Sequence, residues 1–139
     1  MLMDGEIMSA VNVLNKEISN LDRIIHNIIG NMLLICQVSP KGKYEYINNT
    51  HYSILGYKPE DLVDKSMFEF IHPEDLVMVQ TLFMTGLISG QFKPMKLRFR
   101  CNNKKYIYLE SQGIVIYDDL GHVKGAVFVT RDITEHTMI

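Results

Sequence analysis

The tetrapeptide His72-Pro73-Glu74-Asp75 places a histidine beside two carboxylates, a combination that acid–base chemistry uses when a substrate lies within reach. The same four residues suit the start of a helix, because proline fits the first helical position and the helix dipole favours acids there. No serine, cysteine or lysine lies beside the tetrapeptide to act as a nucleophile. The pattern therefore predicts helix initiation, and we assign no catalytic residue.

Cys36 and Cys101 are the two cysteines of the chain. Each lies in or at the end of a strand-like run, and their spacing is not that of a paired motif such as C-x-x-C. The pattern predicts two buried or half-buried thiols rather than a disulfide or a metal site. Such thiols fit a reducing cytoplasm, which is the location we expect.

The composition allows one sizeable core and excludes some classes of partner. The chain has 139 residues, 47% of them hydrophobic, with 14 basic and 16 acidic side chains. This near-neutral balance, without a basic stripe, gives no reason to expect nucleic acid as a partner. The longest apolar runs are far shorter than the roughly 20 residues of a membrane span, so we predict no membrane insertion by this segment, although a longer parent chain could be anchored.

Residues 1–29 form a segment of their own, marked by apolar residues that alternate steps of four and three: Ile7, Val11, Leu14, Ile18, Leu21, Ile25 and Ile28. Read as a coiled coil, this seam predicts a helix that pairs with a second copy, and the dimer residues are Val11, Leu14, Ile18, Leu21 and Ile25. A single amphipathic helix packed on its own domain needs the same stripe. Both readings stay open.

Residues 30–136 show the periodicities of an α+β domain. Runs at 32–38 and 43–48 around a Pro-Lys-Gly turn predict a β-hairpin, and three later runs at 93–100, 105–117 and 122–132 predict three more strands. Residues 73–89 have helical spacing and end before Gly90. The run 126–129 is apolar on both faces, so we expect the N-terminal helix or a partner subunit to cover its outer side.

After the predicted hairpin, the punctuation predicts three short helices before the next strand. Asn48 can end a strand and cap the next helix, Gly56 can close a short helix, and Pro59 and Pro73 each suit a first helical turn.

With these motifs the chain resembles the PAS domain family of signalling sensors, over roughly residues 30 to 136. The first matching motif comprises Asn48, Gly56, Tyr57, Glu60, Asp61, Leu62, His72, Pro73, Glu74 and Asp75. The second is the last strand with its exit motif, Asp132-Ile133-Thr134. The resemblance implies a five-stranded antiparallel sheet with short helices on one face, preceded here by the N-terminal amphipathic helix.

The resemblance also implies which residues carry function. Members hold small ligands between sheet and helices, where we expect Ile35, Phe68, Phe70, Phe83, Met95, Leu97 and Val127. In the family, the exit motif Asp132, Ile133 and Thr134 couples the last strand to a following helix. Haem-binding members use a histidine of the long helix, and flavin photosensors use a cysteine after the Gly-Tyr segment. Neither is present here, which disfavours His-ligated haem and covalent flavin, and we expect His51 and His122 to be exposed.

We therefore expect a sensory and interaction module rather than an enzyme, within a larger signal-transduction protein that is typically a histidine kinase of a two-component system. It would pass a change in its pocket or its homodimer to an effector downstream. One alternative is a ligand-free dimerisation domain, and a second is a haem- or flavin-dependent sensor. The sequence names no signal.

Overall fold

The computed structural model describes residues 33–137 and the isolated positions Gly5 and Ser9. The strands are β1 (Leu33–Val38), β2 (Tyr44–Ile47), β3 (Met95–Arg100), β4 (Tyr106–Tyr117) and β5 (Val123–Asp132). The helices are α1 (Thr50–Leu55), α2 (Pro59–Leu62), a 3₁₀ helix (Met67–Phe70), α3 (Pro73–Ser89) and α4 (Thr134–Thr137). The predicted α+β fold is confirmed. The predicted N-terminal helix and its dimer residues lie outside the described residues, as does the boundary at residue 29.

The five strands form one antiparallel sheet in the order β2-β1-β5-β4-β3. The chain leaves this sheet at one edge strand, β2, and returns to it at the other edge strand, β3. The connection carries α1, α2, the 3₁₀ helix and α3 across one face of the sheet, which we call the inner face. Side chains alternate between the two faces along each strand, so that Met95, Leu97 and Phe99 of β3 are buried as predicted.

Helix boundaries follow the glycine and proline positions. Gly56 and Gly90 end α1 and α3 in the left-handed conformation, with φ of 82° and 83°. Pro59 and Pro73 occupy the first turns of α2 and α3. The ring of His72 accepts a hydrogen bond from the Glu74 backbone N–H at 3.1 Å and so caps α3, which agrees with helix initiation at this tetrapeptide. Within residues 33–137, no helix is long and apolar enough to span a bilayer.

Asn48 ends β2 as predicted, but the prediction that it caps the next helix is wrong. Its buried side chain instead reaches β1, 13 to 15 residues earlier. Asn48 Oδ1 accepts from the Ile35 backbone N–H at 3.1 Å, and Nδ2 donates to the Leu33 carbonyl at 3.0 Å. The carboxamide thus replaces a strand neighbour for β1 where β2 ends, because backbone groups buried there need partners.

An ion pair fastens the start of α3 to β3. Both carboxylate oxygens of Asp75 accept from the Arg98 guanidinium, at 2.8 and 3.0 Å, and one also accepts from the Arg98 backbone N–H at 2.8 Å. The two side chains are only 17% and 25% exposed. The hydrogen bonds from Arg98 hold the pKa of Asp75 below its usual range.

Asp75→Asn is expected to lower the free energy of unfolding at pH 7 by about 2 kcal/mol, since it removes charge-assisted hydrogen bonds from a half-buried pair. Because the pKa of Asp75 is depressed in the folded protein, this stabilisation is present above the ordinary aspartate pKa and is lost below about pH 4. Urea unfolding at pH 7 and pH 3 measures both effects.

The matched control is Glu74→Gln, because Glu74 contacts the same guanidinium through a 74% exposed side chain. It should cost less than about 1 kcal/mol. Equal losses for the two variants would show that Asp75 does not fasten the helix to the sheet.

Candidate functional site

A cavity of about 60 Å³ lies between the inner face of the sheet and the helices. Its walls are mainly apolar, with Leu34, Leu97, Leu109 and Phe128 contributed by the sheet and Val79 by α3. One water molecule needs roughly 10–15 Å³ of such volume, so the space accommodates a few waters or one small organic guest.

A pair of hydroxyl groups lies in this apolar wall. Ser111 of β4 and Thr130 of β5 are register partners, and their side-chain oxygens are 2.8 Å apart. A hydroxyl group carries one proton and two lone pairs, so the bond between the two oxygens uses only one of the two protons. The pair therefore offers both a donor and acceptors at the cavity wall.

His51 on α1 also lines the cavity, and the prediction that it is exposed is wrong, because only 3% of the residue is accessible. Its Nδ1 lies 2.9 Å from Asn48 Oδ1 and 3.1 Å from the Asn48 carbonyl oxygen. Both partners are acceptors when the Asn48 amide donates to Leu33, so Nδ1 carries the proton and Nε2 is an acceptor. Burial lowers the pKa of His51 to about 4, which keeps the ring neutral near pH 7.

Cys36 and Tyr44 complete the polar groups of the lining. Burial raises the pKa of the Cys36 thiol to about 12 and raises the pKa of the Tyr44 phenol. Both groups are therefore protonated and neutral, and a thiol with such a pKa is a poor nucleophile. The predicted burial of Cys36 and Cys101 is confirmed.

The predicted pocket residues separate into three groups. Met95 and Leu97 line the cavity. Phe68, Phe70 and Phe83 belong to the surrounding aromatic core, where Phe83 packs edge-on against Phe68. Ile35 and Val127 were predicted to point inward, and this is wrong.

Strand alternation explains the error. Ile35 lies between buried Leu34 and Cys36, and Val127 lies between buried Ala126 and Phe128, so both belong to the opposite face of the sheet. A polar residue could have given the phase on β1, where Gln37 shares a face with Ile35. On β5 both faces carry polar residues, since Arg131 shares a face with Val127 while Thr130 and Asp132 share a face with Phe128, so no local pattern decides the phase there.

The outer face of the sheet carries an apolar patch, the open face, formed by Ile35, Ile114, Val127 and Val129. Ile114 is 66% exposed and Val129 is 40% exposed among the described residues. An ion pair between Arg131 and Glu110, 2.8 Å long, borders the patch. The expectation that another segment or subunit covers this side stays a prediction.

The exit motif makes a compact set of hydrogen bonds. Asp132 Oδ1 accepts from the backbone N–H of Thr134 at 2.9 Å and from its hydroxyl at 2.6 Å. The Thr134 hydroxyl oxygen in turn accepts from the Tyr108 backbone N–H at 3.1 Å, while the Ile133 N–H donates to the Tyr108 carbonyl at 2.9 Å. Ile133 is buried. These contacts attach the start of α4 to β4 and fix the direction in which the chain leaves the sheet.

Residues 44–130 match the family model described as the PAS fold. This match covers more than half of the chain. The chain belongs to the PAS family. PAS domains are sensory or dimerisation modules of signalling and transcription proteins, and the fold described above is that of such a module.

Sequence relatives of this PAS domain include two proteins of Drosophila melanogaster. Protein similar is 28% identical over 92 residues, which are 66% of this chain and 6% of the relative. Protein cycle is 28% identical over 103 residues, which are 73% of this chain and 24% of the relative. The chain thus spans less than a quarter of the length of these two relatives.

Solved structures agree on the fold. The PAS-B domain of Drosophila melanogaster Cycle superposes with a TM-score of 0.67 at 20% identity, covering 71% of this chain and 98% of that one. A sensory box histidine kinase/response regulator from Burkholderia thailandensis superposes with a TM-score of 0.67 at 21% identity, covering 84% of this chain and 86% of that one. At these identities the likeness concerns the fold alone.

The lowered pKa of His51 makes the stability of the PAS domain dependent on pH. The unfolded chain takes up a proton at His51 near pH 6.5, whereas the folded protein resists it until about pH 4. Folding stability is therefore expected to fall as the pH is lowered from about 6.5 to 4, by up to about 3 kcal/mol from this group. His51→Gln should flatten this part of the profile, measured by urea unfolding at half-unit steps of pH.

His122 is exposed in the β4–β5 turn, as predicted. Ser53→Ala is the control, since it changes an exposed side chain on the same helix without removing a titratable group, and it should keep the slope of the wild type. A His51→Gln profile as steep as that of the wild type would mean that other groups cause the dependence.

Thr134→Val is expected to weaken the attachment of the exit motif to β4. Valine keeps the shape of threonine, but it neither accepts a hydrogen bond from the Tyr108 N–H nor donates one to Asp132. Losing these bonds, each worth about 1 kcal/mol, should speed amide exchange at Tyr108 about tenfold. Hydrogen exchange followed by NMR measures this rate. Thr85→Val on the exposed side of α3 is the matched control. An unchanged rate at Tyr108 would show that the hydroxyl does not hold the exit.

Proposed function

We propose that this PAS domain is a sensory module whose signal is a small neutral molecule bound in the cavity, and whose output is a change at the exit motif. The observation that carries this proposal is a hydroxyl pair, Ser111 and Thr130, in the mainly apolar wall of the cavity. Binding sites for small molecules are typically apolar spaces with few polar groups, which fix the orientation of the ligand.

The lining limits the chemistry of the ligand. Among the described residues around the cavity, none is an Asp, Glu, Lys or Arg, and His51, Cys36 and Tyr44 are neutral near pH 7. A charged guest would lose its hydration without a charged partner, which is costly. The proposed guest therefore has a few heavy atoms, is uncharged and carries at least one hydroxyl or carbonyl group. Structures of the Cycle PAS-B domain contain glycerol and ethylene glycol, which are molecules of this class.

The position of the hydroxyl pair supports coupling to the exit motif. Thr130 precedes Asp132 by two residues on β5, and Leu109, the register partner of Asp132, precedes Ser111 by two residues on β4. Two register pairs, Glu110 with Arg131 and Leu109 with Asp132, lie between the hydroxyl pair and the bond from Tyr108 to Thr134, so a guest that moves the hydroxyl pair acts on the strands close to this bond. Such a contact suits a two-state relay between cavity and exit.

The proposal also covers the longer protein to which this PAS domain would belong. We infer a homodimer formed through Val11, Leu14, Ile18, Leu21 and Ile25, a cytoplasmic location, and an effector beyond Ile139, such as a histidine kinase. The heptad seam supports the dimer, and the sensory box histidine kinase that shares the fold supports the effector. The PAS domain itself serves in sensing and interaction, not in catalysis.

A ligand-free dimerisation domain is the second candidate, and the exposed open face favours it, since a partner subunit would bury Ile114 and Val129. Native mass spectrometry of freshly purified protein separates the two candidates. Extra mass that disappears on denaturation supports the sensor, and a bare dimer supports the dimerisation domain. A visible absorption band would instead indicate a haem- or flavin-dependent sensor.

Thr130→Val is expected to weaken binding of ethylene glycol about fivefold, because it removes a hydroxyl hydrogen bond worth about 1 kcal/mol while keeping the shape of the cavity. NMR titration with ethylene glycol, followed at the amides of Ser111 and Phe128, gives the dissociation constants.

Ser53→Ala is the control, because it removes an exposed hydroxyl from α1 outside the cavity lining, and it should bind as the wild type does. Equal affinities for wild type and Thr130→Val, or shifts that do not saturate, would contradict the proposed site.

A further inference from the structure

The outward side of α3 carries a row of exposed and mainly apolar residues, where a surface helix is usually polar. Val77 is 73% exposed, Met84 is 53% exposed and Ile88 is 83% exposed. With Thr81 these residues follow steps of four, three and four, so they form one straight row along the helix, which we call the α3 row. The opposite side of α3 already serves the core through Val79, Phe83, Gly86 and Leu87.

Charge is absent from α3 after its first turn. Residues 76–92 contain no Asp, Glu, Lys or Arg, whereas Glu74 and Asp75 precede them and Lys93 follows them. The one row member with a polar group, Thr81, donates its hydroxyl to the Val77 carbonyl at 2.8 Å, so its polarity is satisfied within the helix. A helix that is apolar on its inner and outer sides indicates a partner on the outer side.

The charges at the two ends of the row favour a second copy as the partner. Steps of four, three and four read the same in both directions, so two antiparallel α3 helices related by a two-fold axis pair Val77 with Ile88 of the other copy, and Thr81 with Met84. This register also brings the acidic start of α3, with the exposed Glu74, beside the end of the other helix, near Lys93. Antiparallel helix dipoles add to this charge complementarity.

A lipid surface fits these observations less well. Helices that lie on membranes carry basic residues around their apolar side, whereas the charges that begin α3 are Glu74 and Asp75.

We propose that the α3 row is a self-association surface, on which two copies of the chain pair through antiparallel α3 helices. This contact lies on the other side of the domain from the open face, and it depends neither on a ligand in the cavity nor on the heptad seam of residues 7–28.

Two opposite charges test the register. Val77→Glu and Ile88→Lys each place a charge against an apolar side chain of the other copy, and each should weaken association at least tenfold. In the double variant, every Glu faces a Lys across the axis, so association should return to within about threefold of the reference. Both substitutions agree with the helix dipole, which protects folding.

Sedimentation velocity over a concentration series gives the dissociation constants. All variants carry Ile18→Asp and Leu21→Asp, so that the heptad seam cannot hold the dimer, and circular dichroism confirms that each is folded. Leu120→Lys is the matched control, since Leu120 is 81% exposed in the β4–β5 turn, and it should not change association.

Weaker association of both single variants with recovery in the double variant supports the proposal. A monomeric reference, or single variants that associate as the reference does, would overturn it and leave the row to a different protein or a lipid surface. Failure of the double variant to recover would overturn the antiparallel pairing.

Discussion

The path of the chain between the two edge strands of the sheet determines the rest of the structure. Because β2 and β3 lie at opposite edges, residues 48–94 must cross one face, and they cross it as four short or medium helices. A cavity remains between these helices and the inner face of the sheet. The same crossing leaves the other face without cover from residues 33–137. The cavity and the open face are thus two results of one connection.

Buried polar groups near this crossing have two roles, because they make hydrogen bonds within the sheet and also contribute to the cavity lining. The Asn48 side chain completes the hydrogen bonds of β1 and also holds His51, whose ring lines the cavity. The hydroxyl pair of Ser111 and Thr130 joins β4 to β5 and also lies at the cavity wall. Because these groups belong to both the sheet and the cavity, a guest cannot change their bonds without changing the strands that lead to the exit motif. The proposed relay rests on this sharing.

The sequence predicted those features that single residues decide. Helix ends depend on backbone conformation, which glycine and proline determine locally. The helix boundaries could therefore be predicted from Gly56, Gly90, Pro59 and Pro73. Asn48 was misread as a cap, because an asparagine side chain serves a cap or a distant strand equally well until the fold brings β1 near. The prediction of which strand residues face the core was wrong at Ile35 and Val127, because apolar residues occupy both faces of their strands. The cavity depends on packing between elements, which no local pattern contains.

The central claim is that the cavity is coupled to the exit motif, and amide hydrogen exchange with and without a bound guest tests it directly. Saturating ethylene glycol should change the exchange rate of the Tyr108 and Thr134 amides at least threefold, while the Leu62 amide on α2, outside the cavity lining, stays unchanged. A guest that protects only the residues of the cavity wall, with unchanged rates at Tyr108 and Thr134, would contradict the coupling and leave the cavity without a route to the exit.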